Sequence, residues 1–334
     1  MLEIALAGNS AISQPKIICQ SVPNNITMQL HSSSGRWRLG LGLSLLTAIL
    51  WGVLPIALKI TLQAVDVYTV TWFRFIVSFT LLALYLSARQ ELPSLKKLKT
   101  VNWGLMAVAI IFLAANYILF LIGLSQTSPA NTQVLTQFAP VLMGLGALVV
   151  FKERYTRSQW IGLGVLSLGF SLFFHEQLTS LISAQTQYLI GSAIVVLAAA
   201  VWAVYALVQK QLLQQLPSES IMIILYGGAA VLYTPLATPQ SLLTLSPLHW
   251  GTLIFCAFNT LIAYGSFAEA MDHWEASRVS AVLAMTPLIT LVSISIFSLF
   301  FPYLLKPEHL TNLGILGAIL VVIGSATIAM GKSK

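Results

Sequence analysis

Residues 100–151 read TVNWGLMAVAIIFLAANYILFLIGLSQTSPANTQVLTQFAPVLMGLGALVVF and contain no Asp, Glu, Lys or Arg. An α-helix needs about 20 apolar residues to cross the hydrocarbon core of a bilayer, so this run is too long for one span. It is punctuated once, at Ser125-Gln126-Thr127-Ser128-Pro129, where polar residues and a proline interrupt the apolar pattern. The stretch therefore predicts two membrane helices, 103–124 and 129–151, joined by a tight turn.

The same logic extends along the chain. A charge at mid-bilayer costs several kcal/mol and a charge in a loop costs nothing, so charged positions mark the connections. The uncharged run 220–268 breaks in the same way near Thr238-Pro239-Gln240-Ser241. Ten spans result, near 39–61, 68–88, 103–124, 129–151, 157–175, 188–211, 220–238, 249–270, 277–301 and 312–331. Composition agrees: 57% of the 334 residues are hydrophobic and 8% charged, against about a quarter charged in soluble domains. The predicted class is an all-α membrane protein.

Of 17 basic residues, 14 fall on the side that holds the N-terminus, only Lys59 and Lys306 on the other, and Arg74 inside the second span. Cytoplasmic loops are enriched in Lys and Arg, so both termini are expected in the cytoplasm and the protein in the plasma (inner) membrane. Adding or losing one span would scramble this segregation. The basic residues mostly lie between apolar stretches rather than on one face, which excludes nucleic acid as a partner. Cys19 and Cys256 are too few for a disulfide framework and lack metal-site spacing.

Residues 1–38 are polar, with Ser32-Ser33-Ser34 and an Asn25-Ile26-Thr27 sequon, and lack the basic and apolar segments of a signal peptide. They read as a disordered cytoplasmic tail, in which case the sequon has no meaning. Translation from Met28 and a transit peptide stand as alternatives.

An internal repeat organises the rest. Asn116-Tyr117-Ile118-Leu119-Phe120 resembles Ala263-Tyr264-Gly265-Ser266-Phe267 at an offset of 147, which also pairs Gly123 with Ala270, Gln133 with Ser280 and Pro140 with Pro287. An offset of 151 pairs Trp51 with Trp202 and Lys59 with Lys210. The repeats 39–176 and 187–331 hold five spans each, and five is odd, so the second enters the membrane inverted. Inverted repeats of this kind recur in transporters, with the substrate site between the halves.

Trp51-Gly52, Phe73-Arg74-Phe75, Ala139-Pro140-Val141 followed by Lys152-Glu153-Arg154, and Thr286-Pro287-Leu288 together resemble the drug/metabolite transporter superfamily in its ten-helix EamA branch. The resemblance covers about 39–331. It implies alternating-access movement of amino acids, other metabolites or drug-like amphiphiles, often outward. Two departures stand out: Phe300 occupies the position that the repeat offset assigns to a partner for Glu153, and the loop from Phe301 to Leu310 is longer.

Polar residues inside spans mark the expected path. Gln133 and Gln137 share a helix face with Pro140 and Gly144, and Ser280, Ala284 and Pro287 form the related face. A proline frees a backbone carbonyl one turn earlier, usable where it faces a cavity. Asn116 and Asn259 add amides, and Trp51, Tyr117, Trp202, Tyr205 and Tyr264 supply aromatic walls. Each of these has an alternative role as hydrogen-bonding glue between helices. Arg74 is expected to snorkel to the outer interface or pair with Asp66 in a structural role, and Glu153 to form a solvated ion pair among Lys152, Arg154 and Arg157. Amides and aromatics without a buried charge pair favour neutral or zwitterionic solutes, whereas an Arg74 that faced the cavity would favour an anionic one. Gly317, Gly324 and Gly331 form a small-residue face on the last span for packing within the chain, with a homodimer seam as the alternative.

No Asp or Glu lies deep in a span, Glu269 being at the inner end of the eighth, so facilitated exchange or export down a gradient is the simplest mode. His31, His175, His249, His273 and His309 fall outside span interiors without catalytic or metal spacing. Neither an enzyme activity nor a metal or cofactor is expected. The reading is a secondary transporter that moves a small-molecule substrate across the lipid bilayer in which it sits; a non-transporting scaffold or receptor and a channel are the alternatives.

Overall fold

A computed structural model describes residues 34–93, 98–99, 101–182, 186–301, 304 and 311–330. Most of the expected tail, with its sequon, Cys19 and His31, lies outside the described residues. So do His309, Lys306, Gly331 and most of the loop from Phe301 to Leu310.

Among the described residues the chain is helical, with no strand. In order, the helices are α1 (Trp37–Thr61), α2 (Val67–Ala88), α3 (Trp103–Gln126), α4 (Pro129–Leu135), α5 (Phe138–Val150) and α6 (Arg157–Ile182). Then come α7 (Thr186–Leu212), α8 (Ser218–Tyr233), a 3-10 turn (Pro239–Thr244), α9 (Pro247–His273), α10 (Ala276–Leu283), α11 (Thr286–Phe300) and α12 (Asn312–Met330). Six stretches are long and apolar enough to cross a membrane by length and composition: α1, α2, α3, α7, α9 and the joined α10–α11.

Local chemistry sets the ends. Asp66 caps α2 by accepting from the Tyr68 and Thr69 backbone N–H groups at 2.9 and 3.0 Å. Ser128 caps α4 by accepting from the Asn131 N–H, with Pro129 in the first turn, where its missing donor is harmless. Helix α8 stops at Tyr233, short of the expected 238, because Pro235 cannot donate the next helical bond.

Two expected spans, 129–151 and 277–301, are each broken into two helices. At the first break Gln137 N–H donates to Val134 O and Ala139 N–H to Thr136 O, at 3.0 and 2.8 Å. At the second, Met285 N–H donates to Val282 O and Leu288 N–H to Met285 O, both at 3.1 Å. Both sets are tight three-residue bonds. The cause is chemical: Pro140 and Pro287 have no N–H to continue the helical ladder.

Helix packing is reciprocal between the halves. The most extensive pairs are α6 with α12, α3 with α7, and α1 with α9. Helix α5 packs on α7 as α11 packs on α1, and α10 meets α5 as α4 meets α11. Glycines permit the closest approaches. A Cβ on Gly123 would collide with Val195 Cγ2, and one on Gly52 would lie 2.6 Å from Ile289 Cγ2. Gly324 packs on the Leu166 backbone, and Gly317 O faces Gly169, so the small-residue face of the last span packs against α6.

Candidate substrate cavity

The breaks and the reciprocal packing leave a cavity of about 100 Å³ in the middle of the bundle. Helix α1 contributes Trp51 and Leu54, and α3 contributes Asn116, Tyr117 and Phe120. The first broken span brings Gln133, Thr136, Gln137 and Ala139, and the second Leu283 and Thr286. Helix α7 adds Ala199 and Trp202, α9 adds Tyr264, and α2 adds Arg74. Toward the end of the bundle that holds Arg36, Lys152 and Lys210, the lining stops at Trp202, Tyr264 and Leu283. Toward the Lys59 end it continues through Leu54, Phe120 and Gln133.

Aromatic rings form the floor. Trp51 meets Trp202 edge-on at 5.6 Å and Tyr264 at 4.9 Å, and Phe267 packs beneath both indoles at 5.6 and 5.2 Å. Tyr117 and Tyr264 lie 5.3 Å apart, and Phe75 backs Tyr117 at 4.4 Å. Such contacts hold large rings in fixed positions around the space.

Polar groups punctuate this apolar wall. Gln137 Nε2 donates to Gln133 O at 3.2 Å, while its Oε1 is buried without a hydrogen-bond partner. Asn116 Nδ2 donates to Ala198 O at 3.0 Å, tying α3 to α7 beside the cavity. Arg74 is 2% exposed, with Nε donating to Thr260 Oγ1 at 2.8 Å and the guanidinium 4.5 Å from the Tyr117 ring centre.

Two expectations are corrected here. Arg74 neither snorkels nor pairs with Asp66, because its position on α2 faces α9 and the cavity, and Asp66 is engaged by Tyr68, Thr69 and the Thr238 hydroxyl. Glu153 is not a solvated partner of its sequence neighbours. Its Oε1 accepts from Lys210 Nζ and Ala276 N–H, both at 3.2 Å, and its Oε2 from Ser277 N–H at 3.3 Å. Lys210 is 2% exposed and the Glu153 side chain 14%. The carboxylate thus joins α7 to the N-terminus of α10, where the helix dipole also favours it. Beside it, burial and the Glu153 charge push the Tyr155 phenol up to about 12.

The sequence-predicted residues divide. Trp51, Asn116, Tyr117, Gln133, Gln137, Trp202 and Tyr264 line the cavity. Tyr205 is buried one layer back, with its ring 6.2 Å from Tyr264. Asn259 Nδ2 donates to Leu50 O at 2.7 Å, binding α9 to α1 as Asn116 binds α3 to α7. Ser280 donates to Ser277 O at 2.7 Å and packs on Gly144. Pro140 and Pro287 lie in the first turns of α5 and α11 and act through the breaks they cause. Thr136 and Thr286 also line the cavity; each adjoins a break, Thr136 beside Gln137 and Thr286 beside Pro287, and that adjacency is their only signal in the sequence. Among the described residues, no cluster of His, Cys, Asp and Glu has the geometry to hold a metal ion.

An apolar helical bundle with a central aromatic and amide cavity between two broken helices is the construction of a multi-pass membrane transporter. The EamA-like transporter family matches the chain twice, over residues 38–175 and 189–330, and the protein belongs to that family. It is 38% identical to the "Uncharacterized inner membrane transporter YhbE" of Escherichia coli (strain K12), over 88% of this chain and 92% of that one. It is 34% identical to an "Uncharacterized transporter" of Haemophilus influenzae, covering 88% and 95%. A "Probable amino-acid metabolite efflux pump" of Salmonella typhimurium is 25% identical over 84% and 92%. A crystal structure of another protein, 17% identical, superposes with a TM-score of 0.65 over 90% of this chain and 99% of its own, a likeness of fold.

Proposed function

We propose that this protein is a secondary transporter that exports small organic metabolites, amino acids among them, across the inner (plasma) membrane by alternating access. In this reading ten spans form two inverted five-helix repeats, 39–176 and 187–331, and both termini are cytoplasmic. The observation that carries it is the cavity itself, placed where two repeat-related helices break and lined by Gln133 and Gln137. Gln133 and Gln137 put hydrogen-bonding groups into an otherwise aromatic and aliphatic lining, the mixture of surfaces that holds a small solute.

Several features support the finer points. Reciprocal packing supports the inverted repeat, and the segregation of basic residues supports the orientation. The aromatic floor lies toward the basic end, where Glu153 and Lys210 join the halves. In an alternating cycle the cavity opens to that end and to the Lys59 end in turn. Export and an amino-acid class draw support from the name of the Salmonella typhimurium relative.

The test compares cytosolic and extracellular metabolite pools in cells expressing the intact chain or equal amounts of a Gln133→Leu/Gln137→Leu variant. One solute class should leave the cytosol only with the intact chain. Equal pools, with both proteins folded in the membrane, would sink the reading in favour of a scaffold.

A further inference from the structure

We propose that Arg74 is a carboxylate anchor: the cavity takes a small organic solute whose carboxylate pairs with the Arg74 guanidinium. This deepens the transporter reading and rests on it.

The guanidinium is almost fully buried, yet among the described residues no carboxylate pairs with it. A buried charge without a counter-ion is costly, and proteins normally retain one only with a partner. Its Nε edge is fixed by Thr260 Oγ1, and one face lies over Tyr117. The two terminal nitrogens have no protein acceptor among the described residues. These are the donors that form the two parallel bonds of an Arg–carboxylate pair. The protein therefore orients the fork and leaves its open side in the cavity.

The charge count narrows the ligand. Arg74 is the one charged residue in the described lining, so a single negative charge balances it. Trp51, Tyr117 and Tyr264 present apolar surface to the side chain of the solute, and Gln133 and Gln137 bring amide groups to the same lining. A solute with no anionic group would leave the guanidinium unpaired.

The experiment measures thermal unfolding of the purified full chain in lipid nanodiscs. The probes are leucine and phenylalanine, their analogues lacking the amine (4-methylpentanoate and 3-phenylpropanoate), and the amides leucinamide and phenylalaninamide. At least one acid should raise Tm, with its amide at least tenfold weaker in apparent affinity. Arg74→Gln should abolish the shift and Arg74→Lys restore part of it. Amides equal to acids, an undiminished shift in Arg74→Gln, or no shift with any acid would each overturn the proposal. If Arg74→Gln fails to fold, the acid-to-amide comparison on the unaltered chain decides alone. Acid-selective binding without any change in cellular metabolite pools would keep the anchor and remove the transporter reading. Redistribution confined to solutes without a carboxylate would do the reverse.

Discussion

The indole of Trp51 meets that of Trp202 edge-on at 5.6 Å, across 151 positions of sequence. Tyr117 and Tyr264, 147 positions apart, touch at 5.3 Å in the same cluster. Residues related by a two-fold axis can contact each other only close to that axis. If the halves are related as proposed above, two such pairs meeting at the cavity floor fall on the axis that relates them. The Trp51–Trp202 contact should appear as a coupling of about 1 kcal/mol in a double-mutant cycle of Trp51→Leu and Trp202→Leu, measured by unfolding in detergent. Strict additivity would show that the rings do not support each other.

Glu153 and Lys210 are the charged bridge between halves at the basic end. Glu153→Gln leaves Lys210 buried with its charge uncompensated, and should destabilise by about 3 kcal/mol. Adding Lys210→Met removes the stranded charge and should recover much of that loss. The measurement is chemical or thermal unfolding of both variants. Additive losses would mean that the two side chains act independently.

Asp66 supplies a pH dependence outside the membrane. Partial burial pushes its carboxyl upward, but hydrogen bonds from Thr69, Thr238 and Tyr68 outweigh this and hold it below the ordinary carboxylate value. A folded-state value below the unfolded one gives stability that is present above the unfolded value of 3.8 and lost as pH falls through the folded one. Asp66→Ala should therefore cost about 1 kcal/mol near neutrality. The gap from the parent should narrow as the pH falls below 3.8. A gap independent of pH would rule out the ionised cap.

Gly123 and Gly164 make a matched pair. A Cβ at Gly123 meets Val195 and the Gly191 carbonyl, whereas one at Gly164 meets nothing within 4 Å. Gly123→Ala should destabilise the α3–α7 packing by about 1–3 kcal/mol. Gly164→Ala should leave stability unchanged or slightly raised, since alanine is the better helix former. Equal thermal shifts would contradict the close approach.

The sequence by itself determined the helical membrane class, the positions of most helix ends and the residues able to line a path. These follow from the cost of charge in lipid and from the chemistry of proline, serine and aspartate, which act locally. It also picked out Gln133 and Gln137, which both line the cavity, although the helix breaks between them after Leu135 instead of continuing as one face. It did not separate Asn116, which lines the cavity, from Asn259, which binds α9 to α1. Nor did it find that Arg74 points inward, or that Glu153 reaches across to Lys210 and α10. The physical reason is that these helices are apolar nearly all round, so amphipathicity does not reveal their rotation. Lipid tails and core side chains are equally apolar, and rotation is fixed by steric fit at Gly52, Gly123 and Gly324 and by cross-helix hydrogen bonds. Those contacts exist only once helices distant in sequence are packed together, so the tertiary structure alone decided which polar groups face the cavity.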